Sequence, residues 1–519
     1  MNISFPILSL LVLLPLAAGI LIFGFRSERL ARQFALFVSL FELLIACILL
    51  FNFQSSTADM QFVERMEWIP TLHIQYLLGI DGISAVFLPL TAFINVCVIA
   101  ASWNTIHSLS RLYFALLLWL ESVTMGVFCA LDLGLFFLFW ELTLPPLYFL
   151  ISLWGIGPQR RHAAMKYTLF MLAGGVPLML GFILLALNNA RETSMPPPMG
   201  LSFDYFTLLE TPIPLEMQST IFLLLLLGFA VKAPLFPFHV WLPTVAMQGP
   251  VGITALLMGL KLGLYGIIRF AIPFAPQATQ HYARLLAGLG VFCALYGALI
   301  ALKQTNLRRM LAFSSISHVG LVLIGIASIN IQGIQGAVFQ LFNFGIVAGG
   351  IFLLTGFLQH RLGSTDMTAL GGVARTMPLL TSAVFMLGLA GIGIPGSNGF
   401  AAEHLIIIGA FKSHAGVGLA TLMAAVLGAA YFLKAFRGAF LGPPLRRDVK
   451  EAVDLRPREL CIAVCLALLT LAFGLFPQSV LTYSQKPLQA WLARLEAGHP
   501  STLAMTEKNQ LRLTFDLWK

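Results

Sequence analysis

Charge is scarce in this chain. Only 10% of its 519 residues are Asp, Glu, Lys or Arg, and 58% are hydrophobic, whereas a soluble domain carries about 25% charged residues. That shortage excludes a water-soluble globular protein and leaves an integral membrane protein. It also removes the usual meaning of a net charge of +9, which in a soluble chain would point to nucleic acid. Cysteine is sparse too. Cys47, Cys97, Cys129, Cys293, Cys461 and Cys465 all lie in apolar runs, and no CxxC occurs. Zinc, haem and iron–sulfur centres need closely spaced ligands, so none is expected, and the thiols read as small hydrophobes. Nor is there a phosphate-binding loop or a quinone motif. The chain is expected to carry no cofactor and no metal of its own.

What is present is a long series of apolar runs. A span needs about 20 such residues, and runs near 3–24, 32–53, 83–102, 112–131, 133–155, 163–189, 218–248, 251–274, 282–302, 308–329, 331–359, 377–411, 415–440 and 457–481 qualify. An all-α integral membrane protein of about fourteen helices is therefore expected. The first run has no basic leader and no cleavage site, and reads as a retained helix. Segments 54–82 and 190–217 read as loops, and 484–519 is too charged to span and reads as a surface segment.

Two runs should break: 218–248 at Pro234 and Pro237, and 377–411 at Gly393, Pro395, Gly396 and Gly399. Each is the fourth member of a five-helix group, and the two groups start from opposite sides of the membrane. That pattern predicts two inverted five-helix repeats. The expected organisation is helices 1–3 in 1–111, one repeat in 112–274, the second in 282–440, and a last helix with a surface segment in 441–519.

Basic residues alternate between loops. Arg26, Arg29 and Arg32; Arg111; Arg160 and Arg161; Lys303, Arg308 and Arg309; Arg361 and Arg375; and Arg446, Arg447 and Lys450 fall on one side. The positive-inside rule makes that side cytoplasmic. With an even helix count, both termini lie outside. A multi-pass bacterial inner (plasma) membrane protein with periplasmic termini is expected.

Four charges interrupt the apolar runs: Glu141, Lys232, Lys261 and Glu403. A charge at the bilayer centre costs roughly 2.5–3.5 kcal/mol on insertion scales, so charges of both signs on separate helices point to ion movement. Lys232 and Glu403 sit beside the two breaks, where unpaired backbone groups gather. An opening and closing Glu141–Lys232 pair would act as a proton switch. Lys261, flanked by Gly259 and Gly263, is a second lysine for a hydrated path. His318, in SSISHVG beside Ser314, Ser315 and Ser317, is a candidate relay. Asp81 reads as a cap for the third helix. Glu42 and Glu121 read as acids facing a partner helix, and Lys166, Arg269, Lys434 and Arg437 as helix-end anchors.

In order along the chain, YLLGIDGIS, FWELTLPPLYFLISLWG, AAMKYTLFMLAG, VKAPLFPFHVWLP, LKLGLYGIIRF, KQTNLRRMLAFSSISHVG and GIPGSNGFAAEHLIIIGAF resemble the signature segments of the antiporter-like subunits of respiratory complex I, of the type called chain M in bacteria and subunit 4 in mitochondria. The resemblance covers roughly residues 75–440. It implies a fourteen-helix membrane-arm subunit that moves protons while quinone is reduced elsewhere in the complex. The family's fifth-helix glutamate falls on Glu141, its broken-helix lysine on Lys232, its eighth-helix lysine on Lys261, its tenth-helix histidine on His318 and its exit glutamate on Glu403. The partners implied are other membrane-arm subunits, the lipid bilayer and protons, with quinone bound elsewhere and no nucleic acid.

The chain departs from the family pattern at three places. Ala246 and Phe344 stand where the family carries histidines, and Asn306 stands for an aspartate. A path from Lys261 toward Glu403 would then need water near His318 and Asn343, with Phe344 narrowing it. Two further readings stay open at this point. One is a subunit of a cation/proton antiporter or of a proton-coupled inorganic-carbon uptake complex; the other is a structural spacer in a membrane arm, against which the four buried charges argue.

Overall fold

In lipid a backbone must satisfy its own hydrogen bonds, so apolar runs become helices. In the computed structural model, which describes residues 6–497, thirteen helices are long and apolar enough to cross a membrane. They are α1 (Ile7–Gly24), α2 (Glu28–Asn52), α3 (Phe87–Asn104), α4 (Ser110–Cys129), α5 (Leu133–Trp154), α6 (Arg160–Glu192), α7a (Leu215–Lys232), α8 (Val251–Phe274), α9 (Ala283–Lys303), α10 (Leu307–Ala327), α11 (Ile331–Leu362), α13 (Ala415–Phe440) and α14 (Pro457–Leu475). A second half, α7b (Trp241–Gln248), follows α7a. The remaining span is α12, made of α12a (Pro378–Gly391) and α12b (Asn398–Ser413). Neither half is long enough to cross alone, and together they complete fourteen spans.

Both expected breaks are present, after Lys232 in α7 and between Gly391 and Asn398 in α12. A third lies outside the sequence expectations. α8 leaves helical geometry at Leu260 and Lys261 and resumes at Leu262. It then widens into a π-turn over Ile267–Ala271, and α11 does the same over Phe344–Ala348. No proline precedes Pro273 in α8 after its start, so the interruption lacks the mark that announces the other two.

The segment read as a loop at 54–82 contains an antiparallel hairpin, β1 (Gln61–Ile69) and β2 (Ile74–Ile80). Its Glu64 accepts the backbone N–H groups of Leu8 at 2.8 Å and Ser9 at 3.0 Å, satisfying donors that a helix start leaves free. The 190–217 loop holds a short helix, Tyr205–Glu210. Asp132 starts α5 by accepting from Gly134 and Leu135 N–H, and its other oxygen accepts from Gln75 N–H in β2.

The last expected span, 457–481, ends earlier, at Leu475. Pro477 separates it from an amphipathic helix, α15 (Gln478–Ala497), which turns Leu488, Trp491 and Leu495 inward. The surface segment expected over 484–519 thus begins as this helix, and its remainder lies outside the described residues.

The innermost helices are α4, α8, α10 and α11, with 89%, 83%, 83% and 94% of their central windows buried. Two of them carry Lys261 and His318, so those groups lie in the protein interior and not against lipid.

Candidate functional site

Pro145 and Pro146 have no N–H to give, and α5 kinks at Thr143. The kink turns Trp140 O and Thr143 Oγ1 toward the end of α7a. Lys232, the last residue of α7a, donates to both, at 3.1 and 2.9 Å, with its ammonium 3.9 Å from the centre of the Trp140 ring. Across the break, Trp241 Nε1 on α7b donates to Val231 O at 2.9 Å, closing a carbonyl that would otherwise be left open.

Glu141 lies one residue beyond Trp140 yet forms no ion pair with Lys232. Its Oε1 is buried without a hydrogen-bond partner among the described residues. It rests on the bare backbone of Gly175 in α6, where a Cβ would collide with that oxygen. The two charges are close enough to act on each other. The expected contact pair is therefore a near pair, with the ammonium parked on neutral acceptors.

A cavity of about 40 Å³ adjoins Lys232, lined by Thr143, Tyr167, Leu257, Leu260 and others. By volume it has room for about three waters. It reaches the interrupted turn of α8 that carries Lys261. That ammonium donates to Leu257 O at 3.1 Å and lies 5.4 Å from the centre of the Phe344 ring. Lys261 itself is 5% exposed.

Beyond Phe344 the row continues. His318 meets that ring edge-on with centroids 6.3 Å apart. Its Nδ1 is 3.4 Å from Glu403 Oε1 and 3.3 Å from Gln340 Nε2, and its Nε2 is 3.4 Å from the Tyr431 hydroxyl. Ser314 Oγ and that hydroxyl are 2.6 Å apart. A cavity of about 50 Å³ opens beside His318, with Ser314, Ser315, Asn343 and Phe344 in its wall. Ser315 Oγ and Asn343 Oδ1 are buried there without partners among the described residues.

Glu403 is the sixth residue of α12b and points back to His318, so it does not cap the half-helix. It too lies against a glycine. Gly393 has φ +69°, and a Cβ there would stand 2.6 Å from Glu403 Oε2.

Several residues carry more than sequence reasoning gives them. Arg269 is no interface anchor: it is 3% exposed and pairs with Asp81 at 2.6 Å. Asp81 also caps the turn before α3, accepting from Ile83 and Ser84 N–H at 3.0 Å. Lys166 reaches from α6 to Thr244 Oγ1 on α7b, at 3.0 Å. Arg308, counted among loop charges, is 1% exposed and donates to Gly249 O at the end of α7b. Asn306 does what an aspartate would do there, accepting from Arg308 and Arg309 N–H to start α10. The Arg269, Lys166 and Arg308 contacts join residues far apart in the chain, and nothing local announces them.

Comparison with known proteins gives the chain its family. The family model described as NADH:quinone oxidoreductase/Mrp antiporter, TM matches residues 130–428. F(420)H(2) dehydrogenase subunit M of Methanosarcina mazei is 36% identical over 482 residues, covering 92% of this chain and 96% of that protein. NADH-quinone oxidoreductase subunit M of Rickettsia prowazekii is 35% identical over 485 residues, again covering 92% and 96%. A chain in the structure of respiratory complex I from Thermus thermophilus with bound NADH superposes with a TM-score of 0.84 at 28% identity, covering 94% of this chain and 99% of that one. The model spans more than half of the chain, and the relatives match nearly all of it. The chain belongs to the NADH:quinone oxidoreductase/Mrp antiporter transmembrane family.

Proposed function

We propose that this chain is a proton-translocating membrane-arm subunit of a complex-I-type NADH–quinone oxidoreductase, driven by quinone reduction elsewhere in the complex. Relatives matching nearly its whole length are named as subunit M of such an enzyme, or of an F(420)H(2) dehydrogenase. Two relatives of equal likeness with different donor names argue that this chain does not select the electron donor. It takes part in the enzyme through the complex, with the redox chemistry and the quinone in other subunits, and with other membrane-arm subunits and lipid as its neighbours.

The observation that carries the reading is the interior row Glu141, Lys232, Lys261, His318 and Glu403, with one small cavity beside Lys232 and another beside His318. Each member has an assigned part. A proton reaching Glu141 neutralises its carboxylate and weakens the field holding charge on Lys232. Lys232 then releases its proton into the adjoining cavity toward Lys261. Water beside Phe344 carries it to His318, and Glu403 accepts it for exit. When Glu141 loses its proton again, the restored negative charge reloads Lys232.

The same reading makes 112–274 and 282–440 the two inverted five-helix units, framed by 1–111 and 441–519. It puts the basic loops in the cytoplasm and both termini outside a bacterial inner membrane.

The test is proton uptake by the assembled complex in vesicles. Lys232→Ala and Glu141→Ala should each reduce pumping severely while the subunit stays in the complex. Unchanged pumping in either would overturn the mechanism, and loss of assembly would favour a packing role.

A further inference from the structure

Glu42 on α2 and Glu121 on α4 stand outside the row described above. They are 0% and 2% exposed, and their carboxyl groups face each other. Glu121 Oε2 accepts a hydrogen bond from Ser39 Oγ at 2.7 Å and another from Asn95 Nδ2 on α3. Asn95 Nδ2 also reaches Ser39 Oγ, at 3.3 Å. The remaining oxygens, Glu121 Oε1 and both of Glu42, have no partner among the described residues.

Among the described residues no cation pairs with either carboxylate. α1 has no ionisable side chain and α3 has only Cys97. Arg32 on α2 is committed to Trp103 O and Ile106 O, and Arg111 on α4 to Phe25 O. On α5, Glu141 faces Gly175 of α6. Two ionised carboxylates side by side in such a setting repel strongly, and one of them keeps its proton.

We infer that Glu42 and Glu121 bind one proton between them, forming a proton-holding site in the N-terminal helices apart from the central row. The donors say which partner is ionised. Ser39 and Asn95 both aim at Glu121, so Glu121 is the carboxylate and Glu42 the acid, donating its proton to Glu121 Oε1. Glu42, buried and otherwise without a partner, gains one through that bond. The titration belongs to the pair and not to either residue. The site also borders the transport machinery, because Leu120 and Thr124 on either side of Glu121 line the cavity at Lys232.

Infrared difference spectra of the assembled complex test this. Wild type should show a buried carboxylic-acid C=O band that shifts in D₂O. Glu42→Gln should abolish that band. Glu121→Gln leaves Glu42 buried and protonated but without its carboxylate acceptor, so the band should stay and shift, and the double variant should lack it. Asn95→Leu takes a donor from Glu121, so both acids should then be protonated and the band should grow about twofold. Retention of the band in Glu42→Gln, an unshifted or absent band in Glu121→Gln, or an unchanged band in Asn95→Leu would each overturn the inference. If the glutamine variants fail to assemble, Glu42→Asp and Glu121→Asp decide: an assembled aspartate variant without the band would also overturn it.

Discussion

The Lys261 ammonium stands 5.4 Å from the centre of the Phe344 ring, and His318 meets the same ring edge-on from another side. Phe344 thus stands between Lys261 of α8 and His318 of α10. Its π face steadies a cation, but it cannot exchange a proton. On the proposed path a proton goes around it, through the cavity bordered by Ser315 and Asn343. Phe344→His should therefore maintain or increase proton uptake by the complex in vesicles. A large loss in an assembled variant would show that the ring serves the lysine and not the path.

Both acids of the row lie against glycine, and the glycines are expected to be intolerant of change. Gly393→Ala puts a Cβ 2.6 Å from Glu403 Oε2 at a residue with φ +69°. The backbone conformation alone costs about 1–2 kcal/mol, and the carboxylate must also move away from His318. Pumping should fall roughly tenfold, the rate equivalent of about 1.4 kcal/mol, with assembly retained. Gly175→Ala should act the same way through Glu141. Normal pumping with either substitution would show that the acids do not need these positions.

The Arg269–Asp81 pair should matter for stability more than for pumping. Removing one partner of a buried pair costs about 3–5 kcal/mol, whereas replacing both with apolar groups is often neutral. Arg269→Leu should lower the thermal stability of the detergent-solubilised complex or block assembly. Adding Asp81→Leu should recover much of the loss. Equal damage from the single and double variants would mean that each charge has a separate role.

Trp241→Phe should loosen the α7 break without altering charge. It deletes the bond from Nε1 to Val231 O, and an unsatisfied buried carbonyl costs about 1–3 kcal/mol. Hydrogen exchange around residues 232–240 should accelerate, and pumping should fall while the subunit stays assembled. Unchanged exchange would show that the break is held by other contacts.

The helices and the row are legible for the same reason: in lipid, a lone charge or a helix-breaking proline has to be explained. Lys232 with Pro234 and Pro237, and Glu403 after Gly393 and Pro395, announce themselves locally. The interruption at Lys261 does not. Gly259 and Gly263 flank it, but α6 carries Gly174 and Gly175 without a break, so glycine alone does not mark the place and packing sets it. The hairpin escapes notice because Gln61–Ile69 is mostly exposed and its polar and apolar residues alternate poorly. The pairing of Arg269 with Asp81 spans 188 residues, and that of Asn95 with Glu121 joins different helices. Such contacts depend on topology, which no local pattern contains. The Glu141–Lys232 relation is legible as proximity but not as geometry, since the kink at Thr143 supplies competing acceptors.

α15 touches the end of α8, the short helix Pro276–His281, the first half of α11, and α14. Gln280 Nε2 also donates to Leu495 O near its far end. One amphipathic rod is thereby fastened to α8, α11 and α14 together. In many transporters, access alternates as one repeat rocks against the other. A crossbar held to helices on both sides of residue 282 would resist such a motion, which leaves side chains and water as the parts free to move on the proposed path.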